Sequence, residues 1–555
     1  MVKTTAACHP RRSMTVAAAR PPAVRNSSGM THRQVLESMT GLMLSMFVAM
    51  LSSTVVSNAL PRILHDLHGG ESAYTWVVTA TLLTTTASTP LWGKLADLIS
   101  KKLLMQLAII VYIAGSVVAG LSPSVGMLIG CRAVQGIGAG GILAMTQVIM
   151  AAMVSPRERG RYSGYLGATF AVATIAGPLI GGVIVDTSWL GWRWCFYVGV
   201  PFAAAALVVL QRTLHLPPVR REVRVDYLGA ALLTGGVSVV LVWVSLAGQQ
   251  FGWASVSTAV YVGIGVLLLA LAVVVELRTV EPIVPLRLFR QRTVALATGA
   301  GLLIGVAMYG ATIFLSQYFQ ISRAQSPTAS GLRTMPMILG LAVASLVVGR
   351  LVSSTGRWKR YLVLGAALAT VGFALLATIN AHTSFGLISI YMALLGIGLG
   401  MSMQNLVLSV QNSVPVTELG AATATVAFFR SLGGAVGVSA LGAILASRVT
   451  HEVTAGLARL GVPSAGISGS GSSIPDVRTL PHAVAGVVEA AYASGVARLF
   501  LVGAPLLALA LVAIMFIKEV PLREQSGTEL SAELERGGAA GEVSGAVVEH
   551  VPAAQ

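Results

Sequence analysis

The chain has 555 residues, of which 55% are hydrophobic and only 10% are charged. That balance excludes an ordinary soluble enzyme, in which roughly a quarter of residues are charged, and reads as an all-α integral membrane protein. The formal net charge of +16 does not argue for nucleic acid, because the basic residues sit in loops between apolar runs.

Residues 1–36 read as a flexible tail: positions 1–33 hold six basic residues, no acid and Pro21-Pro22, without an apolar run of signal-peptide length. Runs of about 20 apolar residues, enough to cross a bilayer, follow at 38–59, 74–93, 103–121, 125–151, 161–185, 194–211, 227–247, 256–276, 293–318, 329–352, 361–380, 385–410, 420–446 and 494–517. Fourteen transmembrane helices are therefore predicted. Residues 447–493 contain GISGSGSS and read as a long external loop, while 518–555 are polar, glycine-rich and acidic and read as a disordered tail. Cys8, Cys131 and Cys195 have neither metal-ligand nor disulfide spacing.

The loops alternate in charge. One set carries Lys94, Lys101 and Lys102, then Arg157, Arg159 and Arg161, then Arg212, Arg220, Arg221 and Arg224, and continues with Arg287, Arg290, Arg292, Arg357, Lys359 and Arg360. The opposing short loops hold only Arg62, Arg193 and Arg323. This bias sets the basic loops in the cytoplasm, and an even number of crossings returns both termini to that side.

An internal repeat is visible at a constant offset of 260 residues, which joins Gly136 with Gly396, Glu158 with Glu418, Gly160 with Gly420, Gly177 with Gly437 and Gly182 with Gly442. GKLADLISKK at Gly93 pairs with GRLVSSTGRWKR at Gly349 at an offset of 256. Two like bundles of six helices follow, 37–211 and 293–517, joined by residues 212–292 with two inserted helices of peripheral, lipid-facing composition. In the fifth span Gly177-Pro178 and Gly181-Gly182 interrupt an apolar helix. Such residues let a neighbouring helix come close and free a backbone carbonyl that neighbours must satisfy.

Four motifs in order carry a resemblance: LSSTVVSNALP in span 1, GKLADLISKK after span 2, RAVQGIGAGG in span 4 and AGPLIGG in span 5. Over residues 37–517 the chain resembles the major facilitator superfamily, and within it the fourteen-helix drug:proton antiporters of multidrug efflux. The resemblance implies that Gly177, Pro178, Gly181 and Gly182 form an antiport seam. It also implies that Asp97, with Lys101 beside it, latches the two bundles by facing the start of helix 13 near Glu418 and Gly420, a charge–dipole contact worth about 0.3–2 kcal/mol. On that account protonation of Asp97 weakens the latch. Leu98 and Ser100 depart from the family pattern, which has a basic residue and a glycine there.

Arg132 is either a proton-transfer residue, as the resemblance implies, or a structural donor to Gln135 and the Ser52–Thr54 run. Arg430 has no counterpart in the first copy, where Phe170 stands, and a cation inside a span faces inward. Span 1 has Ser52 where the family usually carries an acid, and no Asp or Glu lies near a membrane midplane, so the cavity is expected to be neutral to positive. Ser52, Asn58, Gln147, Tyr309, Gln317, Gln404, Asn405 and Arg430 are its candidate lining. No GxxxxGK[ST] loop occurs, so no cofactor, metal or ATP-driven step is expected and the protein is not read as an enzyme. The reading is proton-gradient-driven efflux of small amphipathic drugs or antibiotics across the plasma membrane by a monomer, its partners being substrate, protons and the lipid bilayer. Export of a lipid or metabolite, an uncoupled facilitator, and a non-transporting receptor or scaffold are the alternatives.

Overall fold

A computed structural model of the chain describes residues 32–68, 71–187, 190–216, 226–247, 251–279, 281–460, 481–525 and 529. Every regular element among them is helical. The first half comprises α1 (His32–Asp66), α2 (Glu71–Leu98), α3 (Lys101–Gly120), α4 (Val125–Met153), α5 (Pro156–Asp186), α6 (Trp194–Tyr197) and α7 (Val200–Thr213). An inserted pair follows, α8 (Tyr227–Leu246) and α9 (Val256–Arg278). The second half is α10 (Arg292–Gln317), α11 (Pro327–Arg333), α12 (Met335–Thr355), α13 (Lys359–Leu376), α14 (Phe385–Ser413), α15 (Leu419–Arg459) and α16 (His482–Met515).

Thirteen spans among the described residues are long and apolar enough to cross a membrane, with α6 and α7 together making one. The fourteenth helix, α2, is 28 residues long but rich in threonine. Two of its hydroxyls bond across to α4, which satisfies them inside the protein as a bilayer requires: Thr81 donates to the Arg132 carbonyl at 3.2 Å and Thr85 to the Gly136 carbonyl at 3.0 Å. Two predicted spans are broken. The run 194–211 splits between α6 and α7 just before Pro201, and 329–352 splits between α11 and α12 just before Pro336; each proline sits in the first turn of the second piece, where its missing N–H is not needed. Of the inserted pair, α8 packs on α2 and α15 through Ala87, Val237, Leu241, Phe428 and Ala435. Its partner α9 is mostly exposed, as expected of a lipid-facing helix.

Two expectations are corrected. The described parts of the predicted loop 447–493 are helical, since α15 runs to Arg459 and α16 starts at His482. The extensions pair through Val449, Val453 and Leu457 against Val484 and Val488, and Glu452 accepts from Ser494 Oγ at 2.6 Å. Apolar residues at helical spacing there were masked in the sequence by the nearby glycine-serine run, which lies outside the described residues. The predicted tail 518–555 begins docked rather than free: Trp358 Nε1 donates to the Val520 carbonyl at 3.0 Å, Asn412 Nδ2 to that of Pro521 at 3.0 Å, and Arg157 pairs with Glu524. Residues 1–31 and 530–555 lie outside the described residues.

The repeat is reproduced in packing. Gly136 and Gly140 bring α4 against the Thr81 and Thr85 carbonyls of α2, while Gly396 and Gly400 bring α14 against the Met337 and Leu341 carbonyls of α12. Gly138 and Gly398 likewise face the backbone nitrogens of Tyr112 on α3 and Ala369 on α13. In each case an added Cβ would fall within 3 Å of a neighbouring backbone atom. Gly396→Leu is therefore expected to lower stability by roughly 1–3 kcal/mol, whereas Gly182→Leu, where a Cβ meets nothing within 4 Å, should be neutral. Thermal unfolding of the purified variants checks this, and equal midpoints would contradict the packing argument.

Candidate functional site

The end of the molecule that carries the basic loops is closed by a series of contacts between the halves. Outermost, Asp97 at the end of α2 accepts from the Gly420 and Ala421 N–H groups at 2.8 Å each. These are orphan donors of the first turn of α15, where the helix dipole also favours an anion. Gly93, one turn earlier, abuts the Gly420 carbonyl and the Ala424 side chain. At the symmetry-related seam Gly160 of α5 meets the Gly349 backbone of α12. The offset of 256 residues puts Ser353 where the first copy has Asp97, so only one seam has a charged latch.

Between the seams Arg159, 2% exposed, donates to Gln411 Oε1 at 2.6 Å and to the Ala151 and Val154 carbonyls at 2.8 and 3.0 Å. Gln411 in turn donates to Thr423 Oγ1 at 3.1 Å. Deeper still, Gln147 of α4 reaches Gln404 of α14 at 3.4 Å. Asn405 is buried beside it and donates to its own helix at Met401. These three polar residues, expected as cavity lining, thus belong to the floor of the cleft. A small void beside them is bordered by Ser163, Ser345, Gln404 and Asn405.

A segment between α9 and α10 straps across the latch. The Glu276 carboxylate accepts from the Ile283 and Val284 N–H groups at 3.1 and 3.2 Å. Glu281 then pairs with Lys94, one turn from Asp97, and Arg287 pairs with Glu418, which precedes α15. Phe289 stacks edge-on against Phe429 with centroids 5.9 Å apart.

Above the floor the opposite end is accessible. Towards that end α10 leaves Tyr309, Thr312, Ile313, Ser316 and Gln317 at least partly exposed, with Gln320 of the following π-turn. Their spacing places them on one face. On α1 the matching face holds Phe47, Met50, Ser53, Thr54 and Ser57, and the 260-residue offset carries Ser53 and Ser57 onto Ile313 and Gln317. Arg430 lies beside Tyr309 near the base of this cleft.

Arg132 is not in that cleft. It is 3% exposed and donates to Gln135 Oε1 at 2.6 Å, and Gln135 Nε2 donates to Ser52 at 3.0 Å and Ser116 at 2.7 Å. Ser52 is therefore enclosed in a network joining α1, α3 and α4, and its neighbour Ser53 takes the cleft position. In the AGPLIGG segment the backbone of Gly177 touches the Thr54 side chain, whereas Gly182 has open space around it. Gly181 is buried. The side chains of Asn58 and Pro178 lie outside the described residues. Sequence reading missed Arg159–Gln411 and the strap. The ERG signature around Arg159 was visible, but a loop cation is indistinguishable from a positive-inside residue until its partner is known.

A family model for the Major Facilitator Superfamily matches residues 42–438. An uncharacterized MFS-type transporter of Mycobacterium tuberculosis is 36% identical over 488 residues, 87% of this chain and 70% of the relative. The multidrug transporter protein MdtP of Bacillus subtilis is 33% identical over 415 residues, 75% and 76% of the two chains. The efflux pump dotC of Dothistroma septosporum is 30% identical over 493 residues, 87% and 84%. Among solved structures the proton:xylose symporter XylE shares the fold with a TM-score of 0.58 at 13% identity, over 90% of this chain and 99% of that one. The chain belongs to the major facilitator superfamily. It is a membrane transporter, not an enzyme.

Asp97 lies beyond the 74–93 span. Burial pushes its carboxyl up to about 7, overriding the Ala421 and Gly420 N–H groups and the Lys101 and Lys94 charges, which act downward. An opened latch would return it to water and to the ordinary range near 4. Closure therefore takes up a proton: that contribution is full below about pH 4 and is lost as pH rises through about 7. The sense is opposite to that expected from charge–dipole attraction alone, because desolvation is the larger effect. Labelling of Ser345→Cys, in the seam beside the void, by an impermeant maleimide from the basic side should speed up between about pH 5 and 8. Because the thiolate is the reacting form and itself grows with pH, each rate is divided by that of a fully exposed control cysteine at the same pH. The normalised rate should then be flat in Asp97→Asn, and a normalised profile the same in both proteins would remove Asp97 from the latch.

Proposed function

We propose that this transporter exports small amphipathic compounds by proton-coupled alternating access across the cell membrane, with its basic end and both termini in the cytoplasm. The described conformation is then the outward-facing one. The observation that carries this is the closed basic end beneath a cleft lined by one polar face of α10 and one of α1. The multidrug-transporter and efflux-pump names of the relatives support export, and the basic loops support the orientation. Opening the Asp97 latch to the cytoplasm would release a proton there, the direction an exporter driven by inward proton flow needs. The Gly177–Thr54 contact holds α5 close against α1, so that the two would move as one body.

The enclosure of Ser52, in place of an acid, favours an uncoupled facilitator as a second reading. Everted vesicles separate the two. Uphill uptake of a transported dye that collapses with the pH gradient supports coupling, while uptake that only equilibrates supports the facilitator. Gly177→Leu, which drives a side chain into Thr54, should cut uptake at least several-fold with protein still in the membrane. Wild-type uptake in that variant would remove the seam from the mechanism. Cysteines at Ser155 and Ser353 should be shielded from impermeant reagents in intact cells and one at His382 should react. The reverse pattern would invert the orientation.

A further inference from the structure

We propose that Arg430 and Tyr309 form an anchor for an acidic group, so that the cleft takes anionic amphiphiles carrying a carboxylate, sulfonate or phosphate. The role of the bound compound as cargo rests on the export reading above; the binding does not.

The three arginines inside the bundles differ in what they are free to do. Arg132 is engaged with Gln135, and Arg159 with Gln411 and two carbonyls, and both are enclosed. Arg430 is half-buried, part-way along α15, and among the described residues it makes no hydrogen bond or ion pair. Its backbone carbonyl is pressed against Gly305 of α10, and one turn on, Gly434 lies against the Tyr309 ring. These close approaches hold the α15 segment so that the Arg430 and Tyr309 side chains share the base of the cleft. The acids of the described helices lie in their end turns or in the paired extension of α15 and α16. None is placed to neutralise Arg430.

A cation left without a counter-charge inside a bilayer is expensive. An entering anion removes that cost, while an entering cation adds to it. The guanidinium offers a planar fork that suits a carboxylate or sulfonate, and the Tyr309 hydroxyl adds a donor. The apolar body of such a compound would lie along Ile313 and, on α1, Met50 and Phe47. Because Phe170 stands at the position related to Arg430 by the repeat, the cleft has one such anchor and not two. The Gln147–Gln404 contact closes the path below it.

The test uses the purified full-length protein and three matched probes: a dialkylaminonaphthalene sulfonate, its uncharged sulfonamide, and a quaternary ammonium analogue. Equilibrium dialysis should show the sulfonate bound at least about tenfold more tightly than the other two. Arg430→Gln should abolish that preference, Arg430→Lys should keep part of it, and Tyr309→Phe should weaken it several-fold. If Arg430→Gln does not fold, the lysine and phenylalanine variants carry the test. Equal binding of all three probes by the wild type, or a sulfonate preference untouched in every variant, overturns the proposal. Everted-vesicle uptake separates this outcome from the export reading. Sulfonate bound but not moved would leave the anchor standing and defeat export, whereas gradient-driven uptake of the sulfonamide or ammonium probe alone would leave export standing and defeat the anchor.

Discussion

The contact between the Asp97 carboxylate and the first free N–H groups of α15 governs the shape of the whole molecule. It joins the last turn of a helix in one half to the first turn of a helix in the other, at the basic end. Each carboxylate oxygen accepts one hydrogen bond from an orphan donor, yet the site is so enclosed that the acid is driven toward neutral pH. A contact that binds well but is expensive to ionise is suited to being made and broken with a proton.

Around this latch the two halves are alike in packing and unlike in charge. Glycines at matching positions of α4 and α14 bring the corresponding neighbouring helices into close approach in both bundles. The seam between α5 and α12, by contrast, is a glycine–glycine approach with Ser353 in the place of the acid. The inserted pair adds to the asymmetry, because its exit segment ties Lys94 on one side of the latch and Glu418 on the other. The chain after α16 repeats the device, bonding to Asn412 of the second half and Arg157 of the first. Closure at the basic end is thus distributed over several contacts of modest strength, which permits reversal where a single deep interface would not.

Much of this architecture was legible in the chain. Apolar runs of bilayer length, basic loops and the 260-residue offset determined the class, the number of helices and the twofold repeat, because a bilayer leaves a spanning backbone little choice but the helix. The motif around Asp97 even indicated its target at Gly420. What the sequence could not determine was which polar residues face one another. Ser52 and Ser53 are adjacent in the chain, yet one is enclosed against Gln135 and the other opens to the cleft, a difference of about 100° around α1 that apolar periodicity does not resolve in a helix with buried and cavity-facing sides. Gln147 and Gln404 likewise met as a floor, Arg159 found its acceptor 252 residues away, and the predicted outer loop became a helical hairpin. Each of these depends on pairing between distant segments, and only the packed tertiary structure decides that.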